Sequence, residues 1–110
     1  MRTDTAIDAL SLHCAAGDPP AEYTGVYAGD LLSRAMSHVH EGDIWITIMS
    51  NIKVIAVASL TEAACVILAE GVMMDPDVLA AAAERGVCIF MSDRTVYELC
   101  RDLAALQTEP

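Results

Sequence analysis

The 110 residues suffice for one domain, of a size that buries roughly two thirds of the surface its unfolded chain exposes. Sixteen acidic residues against six basic ones, a net charge of −10, exclude nucleic acid and anionic membranes as partners, because phosphate neutralisation needs clustered Lys and Arg. Apolar residues form 55% of the chain and mean hydropathy is +0.42, which implies strands buried on both faces and a surface covered by a second subunit.

Behind Met1-Arg-Thr-Asp-Thr5 there is no apolar run of the signal-peptide kind. Residues 6–13 place Ile7, Ala9 and Leu10 among polar neighbours, which predicts a half-exposed first strand. A loop over 14–24 follows, where Gly17-Asp-Pro-Pro20 breaks regular structure. Residues 26–28 read as a short strand, and Gly29-Asp30 as a sharp turn into a helix over 30–39 capped by Asp30. Leu31, Leu32, Ala35, Met36 and Val39 give that helix a one-sided apolar stripe, and Gly42 is placed to end it. Ile44-Trp-Ile-Thr-Ile-Met49 is β-branched and aromatic, a strand. Residues 53–57 are read as another strand, with a short helix over 60–64, although Asn51 and the alanines also tolerate helix.

The most apolar region, 44–69, is interrupted by Ser50, Asn51, Lys53 and Glu62, so no membrane span is expected and the location is taken as cytoplasmic. Cys65-Val-Ile-Leu-Ala69 is apolar on both faces, as a central parallel strand should be. Asp75-Pro-Asp77 opens a helix that turns Val78, Leu79, Ala82 and Ala83 inward and stops at Arg85-Gly86. Residues 87–91 form a last apolar strand, Thr95 and Glu98 make a capping box, and Val96, Leu99, Cys100 and Leu103 line one face of the final helix. Residues 107–110 are expected to fray. Alternating strands and helices give one three-layer α/β domain spanning 1–110, core about 6–105, with a mostly parallel sheet flanked by helices.

Among motifs that carry chemistry, neither G-x-x-x-x-G-K-[ST] nor G-x-S-x-G is present, so no catalytic residues are assigned and a non-enzyme is expected. His38 and His40, two apart on a helix, do not face each other, and no metal ligand or cofactor is assigned. Cys14, Cys65, Cys88 and Cys100 form no C-x-x-C pair and read as reduced thiols. The methionines form no stripe and read as core or interface packing, and Tyr27 and Trp45 as core or dimer-surface anchors.

If the strands are parallel, the junctions Gly29-Asp30, Ser50-Asn51, Glu70-Gly71 and Ser92-Asp93-Arg94 share one rim, where open α/β sheets hold ligands. The first expectation for Asp30, Ser92 and Asp93 is helix capping, and for Gly71 a turn. The second is a small-molecule site that includes Gly29, Asp30, Ser50, Asn51, Gly71, Ser92 and Asp93.

Several segments resemble free-standing DRTGG-domain proteins: Tyr27-Ala-Gly-Asp-Leu-Leu-Ser33, Trp45-Ile-Thr47 with Asn51, Ala56-Val-Ala-Ser59, Val66-Ile-Leu-Ala-Glu-Gly71 and Thr95-Val-Tyr-Glu98. The motif that names those proteins falls at Glu22-Tyr-Thr-Gly-Val26, of which only Thr24 and Gly25 match. The resemblance implies a fold similar to the N-terminal domain of HPr kinase/phosphorylase. It also implies a prokaryotic regulatory module of the kind found beside CBS pairs in regulatory pyrophosphatases, where another domain carries the chemistry. Thr24 and Gly25 join the candidate ligand residues on this ground alone. The leading functional expectation is a non-catalytic homodimeric interaction module accessory to an enzyme or signalling partner. The alternative is an adenine-nucleotide sensor binding around Asp30 and Asn51, and an enzyme of unknown kind ranks third.

Overall fold

The computed structural model describes residues 1–108. Ten elements follow in order: α1 (Thr3–Leu10), β1 (His13–Ala16), β2 (Val26–Ala28), α2 (Leu32–His38), β3 (Ile44–Thr47), α3 (Ile52–Thr61), β4 (Cys65–Leu68), α4 (Pro76–Glu84), β5 (Ile89–Met91) and α5 (Val96–Gln107). The five strands form one sheet in the order β1-β5-β4-β3-β2; β2 to β5 run parallel and β1 runs antiparallel along the β5 edge.

Each central strand shows one set of apolar side chains to each face, which is why the sequence reads as unbroken apolar runs there. Ile44, Ile46, Ile67 and Phe90 pack with Ala6 and Leu10 of α1 and Leu99 and Leu103 of α5. Trp45, Val66, Leu68 and Ile89 pack against Ala35 of α2, Val54, Val57 and Ala58 of α3, and Ala82 of α4. The crossover helices α2, α3 and α4 therefore share one face, as successive crossovers of one hand require. The outer layer on the other face is α1 with α5. The expected three-layer, mostly parallel α/β fold is the one observed.

Two segments differ in kind from their expected structure. Residues 3–10 are helix, not strand, because the buried set is Thr3, Ala6 and Leu10, spaced three and four apart. Extended structure begins only at His13, so the first three positions of the expected 14–24 loop belong to β1. Residues 53–57 are also helical. Val54, Ile55, Val57 and Ala58 form a helical stripe, and the Asn51 side chain accepts from Lys53 N at 2.9 Å, so capping and burial override β-branching.

Smaller differences follow from local hydrogen bonding. Gly42 is left-handed but lies in the turn before β3, beyond a helix that already ends at His38. Asp75 stands at the N-cap of α4 with Pro76 at the first position, yet its side chain makes no cap bond. Ala83 is exposed while Ala82 is buried. The capping box of α5 forms as expected, Thr95 Oγ1 accepting from Glu98 N and Glu98 Oε1 from Thr95 N. Gln107 closes that helix, and residues 109–110 of the expected frayed tail lie outside the described part.

All four cysteines are free, and burial pushes the Cys88 thiol up to about 12 and that of Cys65 further. Among the described residues no helix is long and apolar enough to cross a membrane.

Candidate functional site: the rim at the carboxyl ends of the strands

The parallel strands bring Gly29-Asp30, Ser50-Asn51, Glu70-Gly71 and Ser92-Asp93 to one edge of the sheet, in the spatial order 92, 71, 50, 30. Thr24 and Gly25 lie at the opposite edge, where β2 and β3 begin. The candidate residues therefore form two separate groups.

At the β2 end of the rim, Asp30 does not cap α2; Leu31 holds that position without a side-chain bond. Instead its Oδ1 accepts from Thr47 Oγ1 at 2.8 Å and from Ile48 N at 2.9 Å, tying the β2–α2 loop to the β3–α3 loop. Thr47 is fully buried, so this carboxylate satisfies a hydroxyl that would otherwise have lost its water. Asp30→Ala is expected to cost about 1–2 kcal/mol in chemical denaturation, by removing two charge-assisted bonds. A change confined to a few tenths would refute this tethering role.

Trp45 supports the same loop from below, donating from Nε1 to the Gly29 carbonyl at 3.0 Å. Tyr27 stacks on His38, with ring centroids 6.0 Å apart. His38 Nδ1 lies 2.9 Å from the Arg34 carbonyl. Among the described residues no group of three or more His, Cys, Asp or Glu could hold a metal ion.

At the β5 end the geometry changes. The chain leaves β4 for α4 on one face of the sheet and leaves β5 for α5 on the other. Neighbouring strands whose connections part in this way open a crevice at their carboxyl ends, the usual ligand position in open α/β sheets. Here the crevice is a cleft of about 440 Å³, lined by residues 71–73 and 91–94 and by Leu10, Ser11 and His13 of the α1–β1 corner.

Its walls are held by main-chain bonds. Glu70 and Gly71 are both left-handed, and their amides donate to the carbonyls of Arg94 (2.8 Å) and Ser92 (2.9 Å). Ser92 does not cap a helix; its Oγ accepts from Arg94 N at 3.1 Å. Thr95, not Asp93, caps α5. The Arg94 guanidinium is held by Asp102 at 2.9 Å.

The contribution of Leu10, Ser11, His13 and Met91 was not visible in the sequence. With residues 6–13 read as one strand, the helix–turn–strand corner that carries three of them is lost. The signal was Ser11-Leu12, a break between a helical stripe and an extended segment. Ser11 is left-handed there, which turns His13 into β1 beside Met91.

The second group has a different character. Thr24 Oγ1 donates to Asp43 Oδ1 at 3.0 Å, and Asp43 Oδ2 accepts from His40 N at 2.8 Å. A Cβ on Gly25 would stand 2.9 Å from Asp43 Oδ1. A polar cleft of about 500 Å³ also opens at this edge, bordered by Pro19, Pro20, Glu22, Glu41, Glu62 and Arg85.

Comparison with known proteins adds to this geometry. The DRTGG domain model matches residues 5–106. No curated protein matches the chain. A crystal structure of the CBS and DRTGG domains of the regulatory region of Clostridium perfringens pyrophosphatase, complexed with the activator diadenosine tetraphosphate, is similar with a TM-score of 0.71 at 15% identity. The match covers 91% of this chain and 44% of that one, and at this identity it shows a shared fold.

Proposed function

The chain belongs to the DRTGG domain family, and on that premise we propose that it is a non-catalytic regulatory module that senses a small ligand in the crevice between the Gly71 and Ser92 loops. The observation that carries this reading is the position of the cleft, at the one place where adjacent parallel strands send their connections to opposite faces. Support for a nucleotide comes from the pyrophosphatase, part of whose regulatory region shares the fold and which is complexed there with diadenosine tetraphosphate. Within the rim this reading puts the ligand nearer Gly71, Ser92 and Asp93 than Asp30 and Asn51, since one Asp30 oxygen is already occupied by two donors.

A thermal-shift screen with AMP, ADP, ATP and diadenosine tetraphosphate tests it. A ligand at a hundred times its dissociation constant should stabilise the fold by about 2.7 kcal/mol. Absence of any shift across the panel would overturn the sensing role.

A second reading, self-association, rests on a separate observation. Leu31 and Ile48, 64% and 41% exposed, lie on the two loops that Asp30 ties together, and Ile52, 49% exposed, opens the helix α3 that follows the second of them. Such a cluster suits burial against a second copy. In sedimentation at micromolar concentration the expected species is a dimer that Leu31→Asp dissociates; a clean monomer would remove this reading and leave the crevice untouched.

A further inference from the structure

We infer that the crevice receives the uncharged, ring-bearing end of its ligand and turns phosphate groups away. This rests on the sensing role proposed above and specifies the chemistry of that same site.

A loop that binds phosphate presents free main-chain amides, a mobile cation, or both. Here most of the amides are taken. Glu70 N and Gly71 N donate across the loops to the carbonyls of Arg94 and Ser92, Ser92 N donates to Leu68 O of β4, Val72 N to Ala69 O and Arg94 N to Ser92 Oγ. Over residues 70–73 and 92–94 this leaves only the Met73 and Asp93 amides without a partner among the described residues. The Thr95 amide is taken by Glu98 Oε1 within the capping box. Arg94 is the only Lys or Arg lining the cleft, and Asp102 holds its guanidinium. The Asp93 charge is not compensated: its carboxylate has no hydrogen-bond or ion-pair partner among the described residues, and the neighbouring Glu70 carboxylate accepts only from Val96 N, at 3.5 Å.

What the cleft does offer is apolar surface and acceptors. Leu10, Val72, Met73 and Met91 provide the surface, and Met73 is 72% exposed, free to close over a flat ring. The Asp93 carboxylate is placed to accept from an amino group on a heterocycle or from paired ribose hydroxyls. A nucleoside-like compound meets these terms. Its phosphates, where present, would lie outside in water.

Titration calorimetry of the full chain with adenosine, AMP and ATP, with and without magnesium, tests this. Adenosine should bind at least as tightly as AMP, and ATP more weakly by roughly tenfold at low salt, with the gap closing as salt screens the carboxylates. Affinity that climbs with each phosphate, with or without magnesium, would overturn the inference and leave the sensing role standing. Absence of binding by all three and by diadenosine tetraphosphate would overturn both. Asp93→Asn, at an exposed site with no structural bonds to lose, should bring ATP to within a few-fold of adenosine; an unchanged ratio would also overturn the inference.

Discussion

Trp45→Ala is expected to lower stability by roughly 3–5 kcal/mol, a large share of what a domain of this size possesses. The indole is fully buried in the layer between β3 and the three crossover helices, so truncation leaves a cavity that the surrounding close packing cannot fill. The same change removes the donor to the Gly29 carbonyl, which the Gly29 amide bond to Ile46 O does not replace. Trp45→Phe separates the two contributions. It keeps an aromatic ring in the layer but strips the donor, and should cost about 1–3 kcal/mol. Urea denaturation with an unchanged m-value would measure both. A Phe variant as stable as the parent would show that the indole serves only as filling, and that the β2–α2 loop does not depend on it.

The particular elements that were legible in the sequence share a cause. β3, β4 and β5 are buried on both faces, and so declare themselves as continuous apolar runs. α4 and α5 declare themselves through Asp75-Pro76 and the Thr95–Glu98 box, where local chemistry and tertiary structure agree. α1 was lost because Ile7, Ala9 and Leu10 look half-alternating when the buried Thr3 is left out of the pattern. α3 was lost because Val54, Ile55 and Val57 favour extended structure in isolation, and only burial of the stripe against Trp45 and its neighbours decides for helix. The rim was legible once parallel strands were assumed. The crevice was not, since it depends on α4 and α5 leaving adjacent strands for opposite faces and on an antiparallel edge strand delivering His13. Neither is encoded in a local pattern.

The surviving part of the family's name-giving motif leads to the second large effect. Asp43→Ala is expected to cost about 3 kcal/mol, because the carboxylate accepts from Thr24 Oγ1 and His40 N in a setting where its side chain is only 11% exposed. Removing it leaves His40 N without a partner and Thr24 Oγ1 with only the Glu41 carbonyl, at 3.2 Å, at the edge where β2 and β3 begin. Asp43→Asn retains an acceptor oxygen and should lose less, about 1–2 kcal/mol. Gly25→Ala approaches the problem from the other side. A methyl group placed 2.9 Å from Asp43 Oδ1 must displace the carboxylate, at a cost of about 1–3 kcal/mol. In the double variant the Gly25→Ala penalty should largely vanish, since the atom it collides with is gone, and that non-additivity is the signature of direct contact. Ligand affinity in the crevice should stay constant throughout, because Thr24, Gly25 and Asp43 lie at the far end of the strands from Gly71 and Ser92. A folded Asp43→Ala protein that no longer binds would reverse this assignment, and would make Thr24-Gly25 part of a ligand site instead of a brace for the turn into β3.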